Sequence, residues 1–209
     1  MALILFDYDG VLADTLEDLL QFGQEACNQL GVQHTVTKHD LSSLEVMSFS
    51  TYGQACQVPE RLIDEFVRIC LNRFAEKNTP PAIFQGMGSV VRDLSTLHKI
   101  AIVTTNSSQN VNSFLQEHKL DDSVHAVYGV DTPGSKAQKI AMARERLLEN
   151  PAHGSEFMVG DSLSDILAAK EAGVTSIAVT WGHQSLDTLL RGNPDMVVHS
   201  PSDLMKVIQ

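Results

Sequence analysis

The sequence lacks a basic cluster. Its 209 residues carry a formal charge of −11, and no run of Lys and Arg offsets it. Nucleic acid and anionic membrane are therefore excluded as main partners, because both select a positive surface. Cysteine is scarce: Cys27, Cys56 and Cys70 are odd in number, widely spaced and without a C-x-x-C pattern. Neither a disulfide framework nor a zinc site is expected, and the three thiols should be reduced and buried. No apolar stretch is long enough to cross a bilayer, and no basic region followed by an apolar run opens the chain, so a cytoplasmic location is expected. Internal repeats and low-complexity segments are absent as well. The sequence leaves monomer and homodimer both open.

What is present is a hydrophobic content of 43%, ordinary for a globular protein and ample for a core. The most informative stretch is Leu3-Ile4-Leu5-Phe6-Asp7-Tyr8-Asp9-Gly10-Val11. An apolar run that reads as a buried strand stops on two carboxylates two positions apart, then on a glycine that permits a sharp turn. If strand geometry persists, Asp7 and Asp9 share a face. Two such carboxylates repel, which implies a cation, a shared proton or exposure to water, and a hard divalent cation such as Mg²⁺ answers best after so apolar a strand. A plain Asp-Gly turn is the competing explanation.

Downstream, Thr15 is placed to cap a helix whose apolar positions are Leu16, Leu19, Leu20, Ala26, Cys27 and Leu30, with Gly31 ending it. The pattern stays helical from Gln33 to Asn78: weakly near Leu44 to Cys56, clearly after Pro59, with the stripe Leu62, Phe66, Ile69, Cys70 and Phe74. Thr79-Pro80-Pro81 breaks it. A short helix (Val90, Val91, Leu94, Leu97) leads to strand Ile100–Thr104. Strand and helix then alternate: helix 111–120, strand 125–129, helix 137–148, strand 157–160, helix 166–172, strand 175–179, helix 186–190, strand 196–199 and helix 203–208.

That alternation predicts an α/β fold, a doubly wound parallel sheet with helices on both faces. The connection between the first two strands far exceeds the dozen or so residues a crossover requires. Residues 16–80 are therefore expected to form an inserted helical subdomain, a cap able to act as a lid, with residues 1–15 and 81–209 forming the core.

Ligands in such sheets bind at the carboxyl ends of the strands. The first strand ends on Asp7 and Asp9. The second ends on Thr104-Thr105-Asn106-Ser107-Ser108, hydroxyls and an amide at a helix start that serve equally as ordinary caps or as anion ligands. The third is followed by Lys136 at a helix start, where the dipole disfavours a cation; a solvated surface Lys or one awaiting an anion both account for it. The fourth ends on Gly160-Asp161-Ser162-Leu163-Ser164-Asp165, with two acids one helical turn apart. Carboxylates for a metal, donors for phosphate and a Lys for negative charge together suit phosphoryl transfer.

Asp7-x-Asp9-Gly10-Val11, Thr105, Lys136 and Gly160-Asp161-Ser162-x-x-Asp165, in this order and each after its own strand, resemble the four motifs of the haloacid dehalogenase superfamily. The resemblance covers nearly the whole chain. It implies a Rossmann-like core with an all-helical cap inserted after the first strand, and it implies roles. Asp7 would be the nucleophile that forms an aspartyl phosphate; Asp9 would be acid to the leaving group and then base to water. Thr105, Asn106 and Lys136, with Asp7, would form the phosphate site. Asp7, the backbone carbonyl of Asp9 and Asp161 would ligate Mg²⁺, with Asp165 ligating directly or through water.

An acid at Asp9 favours phosphate esters over carbon–halogen or phosphonate chemistry within the superfamily. Leu19 stands where mutases resembling β-phosphoglucomutase carry a His. Thr15-x-x-Asp18-Leu19 and Val179-Thr180-Trp181-Gly182-His183, followed by Asn193-Pro194-Asp195, resemble phosphoglycolate phosphatases, with Trp181 expected as a packed aromatic and His183 as a surface residue. The expected activity is thus Mg²⁺-dependent hydrolysis of a small phosphorylated metabolite. The family's usual Pro after the motif Lys is Ala137 here, which leaves Lys139 as a second candidate for Lys136. Alternatives are a β-phosphoglucomutase-like transferase or pyrophosphatase, a catalytically silent phosphate-binding protein on the same fold, and a phospho-accepting signalling module. The last would place its acceptor after the third strand and lack a cap.

Overall fold

The computed structural model describes residues 1–77, 79–149 and 155–208; Asn78, within the stretch expected to be helical, lies outside them. Among the described residues there are eight strands: β1 (Leu3–Phe6), β2 (Ala13–Asp14), β3 (Ala82–Ile83), β4 (Lys99–Val103), β5 (Ala126–Tyr128), β6 (Glu156–Gly160), β7 (Thr175–Val179) and β8 (Met196–Val198). Six of them form one parallel sheet in the order β5-β4-β1-β6-β7-β8. The first strand is therefore central, which is why all four of its side chains are apolar and buried.

Helices α5 (Met87–Ser95), α6 (Ser108–Glu117) and α10 (Pro201–Val207) cover the face of Ile4 and Phe6 through Val91, Phe114 and Leu204. Helices α7 (Lys136–Leu147) and α8 (Leu163–Ala172) cover the face of Leu3 and Leu5 through Ile140 and Ala169. Helix α9 (Leu186–Arg191) adds Leu189 against Ala178 on that side. The fold is a doubly wound α/β sheet. Leu97, placed in the α5 stripe by its spacing, is instead 71% exposed, because α5 ends at Ser95.

Between β2 and β3 lie α1 (Leu16–Gln29), α2 (Lys38–Ser42), α3 (Phe49–Ala55) and α4 (Ile63–Glu76), packed around a cluster of their own that includes Tyr52, Phe66 and Cys70. The segment is less continuously helical than its sequence suggests. Residues 30–37 and 43–48 are not helical, Ser48 caps α3 by accepting from the Thr51 amide, and a turn of 3₁₀ helix at Glu60–Leu62 precedes α4. Thr15 does not cap α1 with its side chain, because its hydroxyl is drawn to His183 instead. The chain enters and leaves the segment through the antiparallel pair β2–β3, too short to announce itself in sequence. The segment also touches the core: the Gln184 side-chain amide donates to the Leu44 carbonyl at 2.6 Å, and the Ser185 amide to the Ser42 carbonyl at 3.0 Å. The three cysteines are buried and free. No helix among the described residues is long and apolar enough to cross a membrane.

Candidate active site

The carboxyl ends of β1, β4, β5 and β6 open on the same edge of the sheet. Asp7 continues β1, its amide bonded to the Val159 carbonyl at 2.9 Å, so the strand ladder itself fixes the side chain. The chain then folds over on Tyr8, whose carbonyl accepts from the Leu12 and Ala13 amides at 3.0 Å. Gly10 sits in that turn at φ +78°, in contact with the end of β6: a Cβ there would lie 2.0 Å from Asp161 Oδ2. Both the backbone conformation and the space require glycine.

Four carboxylates and one ammonium converge. Lys136 Nζ lies 2.5 Å from Asp165 Oδ1 and 3.2 Å from Asp7 Oδ1. Asp165 closes a capping box on α8, its Oδ2 accepting from the Ser162 amide at 3.1 Å and the Ser162 hydroxyl at 2.6 Å. Asp161 Oδ2 accepts from the His183 amide at 2.7 Å, and Asp9 Oδ2 from the Asn106 side-chain amide at 3.0 Å.

Burial of so many acids shifts their protonation. Desolvation, reinforced by the charge of Asp165, raises Asp7 well above the ordinary carboxyl value and pushes Asp161 up to about 7. Asp9 is raised by burial as well, with the Asn106 hydrogen bond opposing. Burial pulls Lys136 down, but Asp165 and Asp7 outweigh it and the ammonium is held protonated.

The donor set fits a hard divalent cation. Asp7, Asp161 and Asp165 are buried and bring ligand oxygens within 4.8 Å of one another, and Asp7 Oδ1, although it faces Lys136, accepts no hydrogen bond. A second grouping, His34, Asp40 and Cys56 in the helical segment, differs: Asp40 already caps α2 through Thr37 and pairs with His34 at 3.1 Å.

The two lysines are distinguished by their partners. Lys139 points away from the carboxylates, donating to the Gly129 carbonyl at 2.7 Å and the Thr104 carbonyl at 3.4 Å. Thr105 is exposed beyond the end of β4, and no described hydrogen bond joins it to the carboxylates. Asn106 accepts from the amides of Ser107 and Asn110, backbone and side chain respectively, while it donates to Asp9. Ser107 itself is the side-chain cap of α6. A cavity of about 170 Å³ leads to Asp9 between core and helical segment, past Thr15, Asp18, Phe74 and Lys77. A larger groove of about 370 Å³ lies along β5 and contains none of the four carboxylates.

Two residues of the site escape the motifs. His183, expected at the surface, is 3% exposed and touches Asp161 through both its amide and its ring. Thr15, read as a cap, is equally buried against it. Trp181 is half-buried, its indole nitrogen donating to the Val11 carbonyl at 3.2 Å. The signal for His183 was Gly182, where a Cβ would meet Asp161 Cβ at 2.4 Å and the Gly10 carbonyl at 2.6 Å.

Comparison with known proteins agrees with this fold. The family model for haloacid dehalogenase-like hydrolases matches residues 4–179. A phosphoglycolate phosphatase from Synechococcus elongatus is 26% identical over 210 residues, covering 100% of this chain and 97% of the relative. One from Vibrio vulnificus is 29% identical over 219 residues, covering 99% and 95%. In structure, a haloacid dehalogenase-like hydrolase from Streptococcus pneumoniae superposes with a TM-score of 0.86 at 23% identity, covering 100% of this chain and 99% of the other, and shares the fold.

Proposed function

The chain belongs to the haloacid dehalogenase-like hydrolase family, and from that premise we propose that it is a Mg²⁺-dependent phosphatase acting on a small phosphomonoester of the phosphoglycolate type. The observation that carries this reading is Lys136 bridging Asp7 and Asp165 in a buried site. An ammonium so placed offsets the repulsion between a carboxylate nucleophile and a phosphate dianion.

In the first displacement a carboxylate oxygen of Asp7 attacks phosphorus and the bond to the ester oxygen breaks. The Asp9 carboxyl gives its proton to the leaving alkoxide, a task suited to an acid whose pKa burial raises. In the second, Asp9 takes a proton from water as the water oxygen attacks phosphorus. The bond to Asp7 then breaks, inorganic phosphate leaves, and both carboxylates return to their starting state. Lys136, Thr105 and Asn106 hold the phosphoryl oxygens. Asp7, Asp161, Asp165 and the Asp9 carbonyl hold Mg²⁺, which supplies further positive charge at the reacting phosphoryl group. Residues 16–80 act as a cap over the core formed by residues 1–15 and 81–209, and its closure over the cavity lined by Phe74 and Lys77 excludes bulk water during the first displacement.

The test is phosphate release by purified protein with Mg²⁺ from phosphoglycolate, sugar phosphates, nucleoside monophosphates and pyrophosphate, with Asp7→Asn as control. Turnover of one monoester, lost in the variant and with EDTA, is the expected result. Equal release by the variant would overturn the mechanism, and release from pyrophosphate alone would replace the substrate class.

A further inference from the structure

The motif residues leave one buried chain of contacts unexplained. His183 follows β7, and its neighbour Gly182 lets the loop close on Asp161 and Gly10. The His183 amide donates to Asp161 Oδ2 at 2.7 Å, and ring atom Nδ1 faces the same oxygen at 3.3 Å. On the other side of the ring, Nε2 lies 3.2 Å from the Thr15 hydroxyl. Thr15 and Asp9 line the same cavity between core and helical segment. The imidazole thus spans from a carboxylate of the cation site to Thr15, the residue that immediately precedes α1 and lines the cavity beside Asp9. A packed core histidine would need one partner; this one has a polar contact at each nitrogen.

We propose that His183 is a positioning residue that fixes Asp161 through Nδ1 and, through Nε2 and the Thr15 hydroxyl, sets Asp9 for proton transfer. The inference rests on the phosphatase reading above. Partners of this kind, one bond removed from a metal ligand, change metal affinity or activity by roughly 10–100-fold when lost.

The two nitrogens can be separated by substitution. The Asn amide reaches the place of Nδ1 and the Gln amide that of Nε2, so His183→Asn keeps the Asp161 contact and loses Thr15, while His183→Gln does the reverse. Mg²⁺ affinity is read by calorimetry on the full chain without substrate, kcat and KM are read on the best monoester, and circular dichroism verifies folding. His183→Gln is expected to bind Mg²⁺ about tenfold or more weakly, whereas His183→Asn binds nearly as the unaltered chain does. Thr15→Val and His183→Asn should each lower kcat about tenfold with little change in KM. Their double variant should fall no further, because both remove the same contact. Thr15→Ser should recover most of the loss. Folded His183→Asn and His183→Gln that share one Mg²⁺ affinity, or effects of Thr15→Val and His183→Asn that simply multiply, would overturn the inference. An unaltered chain that neither binds Mg²⁺ nor releases phosphate would overturn the phosphatase reading first, and this inference with it.

Discussion

A Cβ built on Gly10 would stand 2.0 Å from Asp161 Oδ2, so the turn after the first strand and the end of β6 meet with no space for a side chain. Gly10→Ala must therefore displace a carboxylate of the cation site while holding alanine at φ +78°. The left-handed conformation and the overpacking together should cost about 2–4 kcal/mol. Urea unfolding measures the loss, and phosphate release should fall with it.

Asp7→Asn separates chemistry from stability. Turnover should fall by roughly three orders of magnitude or more, because an amide is not a nucleophile. Stability without metal should hold or rise, since the substitution removes an ionised group whose burial is unfavourable, as its raised pKa shows. Thermal unfolding in EDTA, run beside the activity assay, checks both. A melting temperature several degrees below that of the unaltered chain would contradict it.

Lys136→Met and Lys139→Met should differ in kind. The first removes the ammonium between Asp7 and Asp165 and should abolish phosphate release. The second leaves the Gly129 and Thr104 carbonyls without their donor and should cost about 1–3 kcal/mol of stability, while retaining far more turnover. Denaturant titration and initial rates on the two proteins distinguish them.

The metal-free protein should weaken as pH rises. Burial and the charge of Asp165 raise Asp161 to about 7, above its unfolded value near 4, so between these limits the folded chain holds a proton that the unfolded chain has lost. Stability from this group is greatest below pH about 4 and is lost as pH rises through about 7. Unfolding in EDTA across that range should show a declining trend, shallower in Asp161→Asn. Added Mg²⁺ should remove the decline at neutral pH.

The sheet was legible because each of its strands is an apolar run ended by polar or small residues, and the alternation with helices left one architecture. Asp7, Asp9 and Asp161 were legible for a related reason, since ionisable residues just after apolar strands must face an opening or a counter-ion, and Asp165, in the first turn of α8, by its spacing of one turn from Asp161. Thr15 and His183 were not, because each has an ordinary local explanation, a helix start and a polar loop, and their meeting across 168 residues has no local trace. Lys136 and Lys139 lie one turn apart on α7, and only the position of the carbonyls of Thr104 and Gly129 separates their roles. The break between α2 and α3 depends on Ser48 as a cap within a weak apolar pattern.

The central place of β1 has a consequence for how the protein is made. Its register partners begin at Lys99 on one side and Glu156 on the other, and His183 comes later still. On the ribosome the strand that carries Asp7 emerges before both flanking strands, which follow only after the helical segment has been synthesised. Leu3-Ile4-Leu5-Phe6 must stay unpaired through that interval, at the ordinary elongation rate of about 5–20 residues per second. During synthesis this apolar run is thus exposed without its partner strands, the condition that favours aggregation. Substitutions that lower the apolar character of this strand would trade yield of folded enzyme against escape from early aggregation.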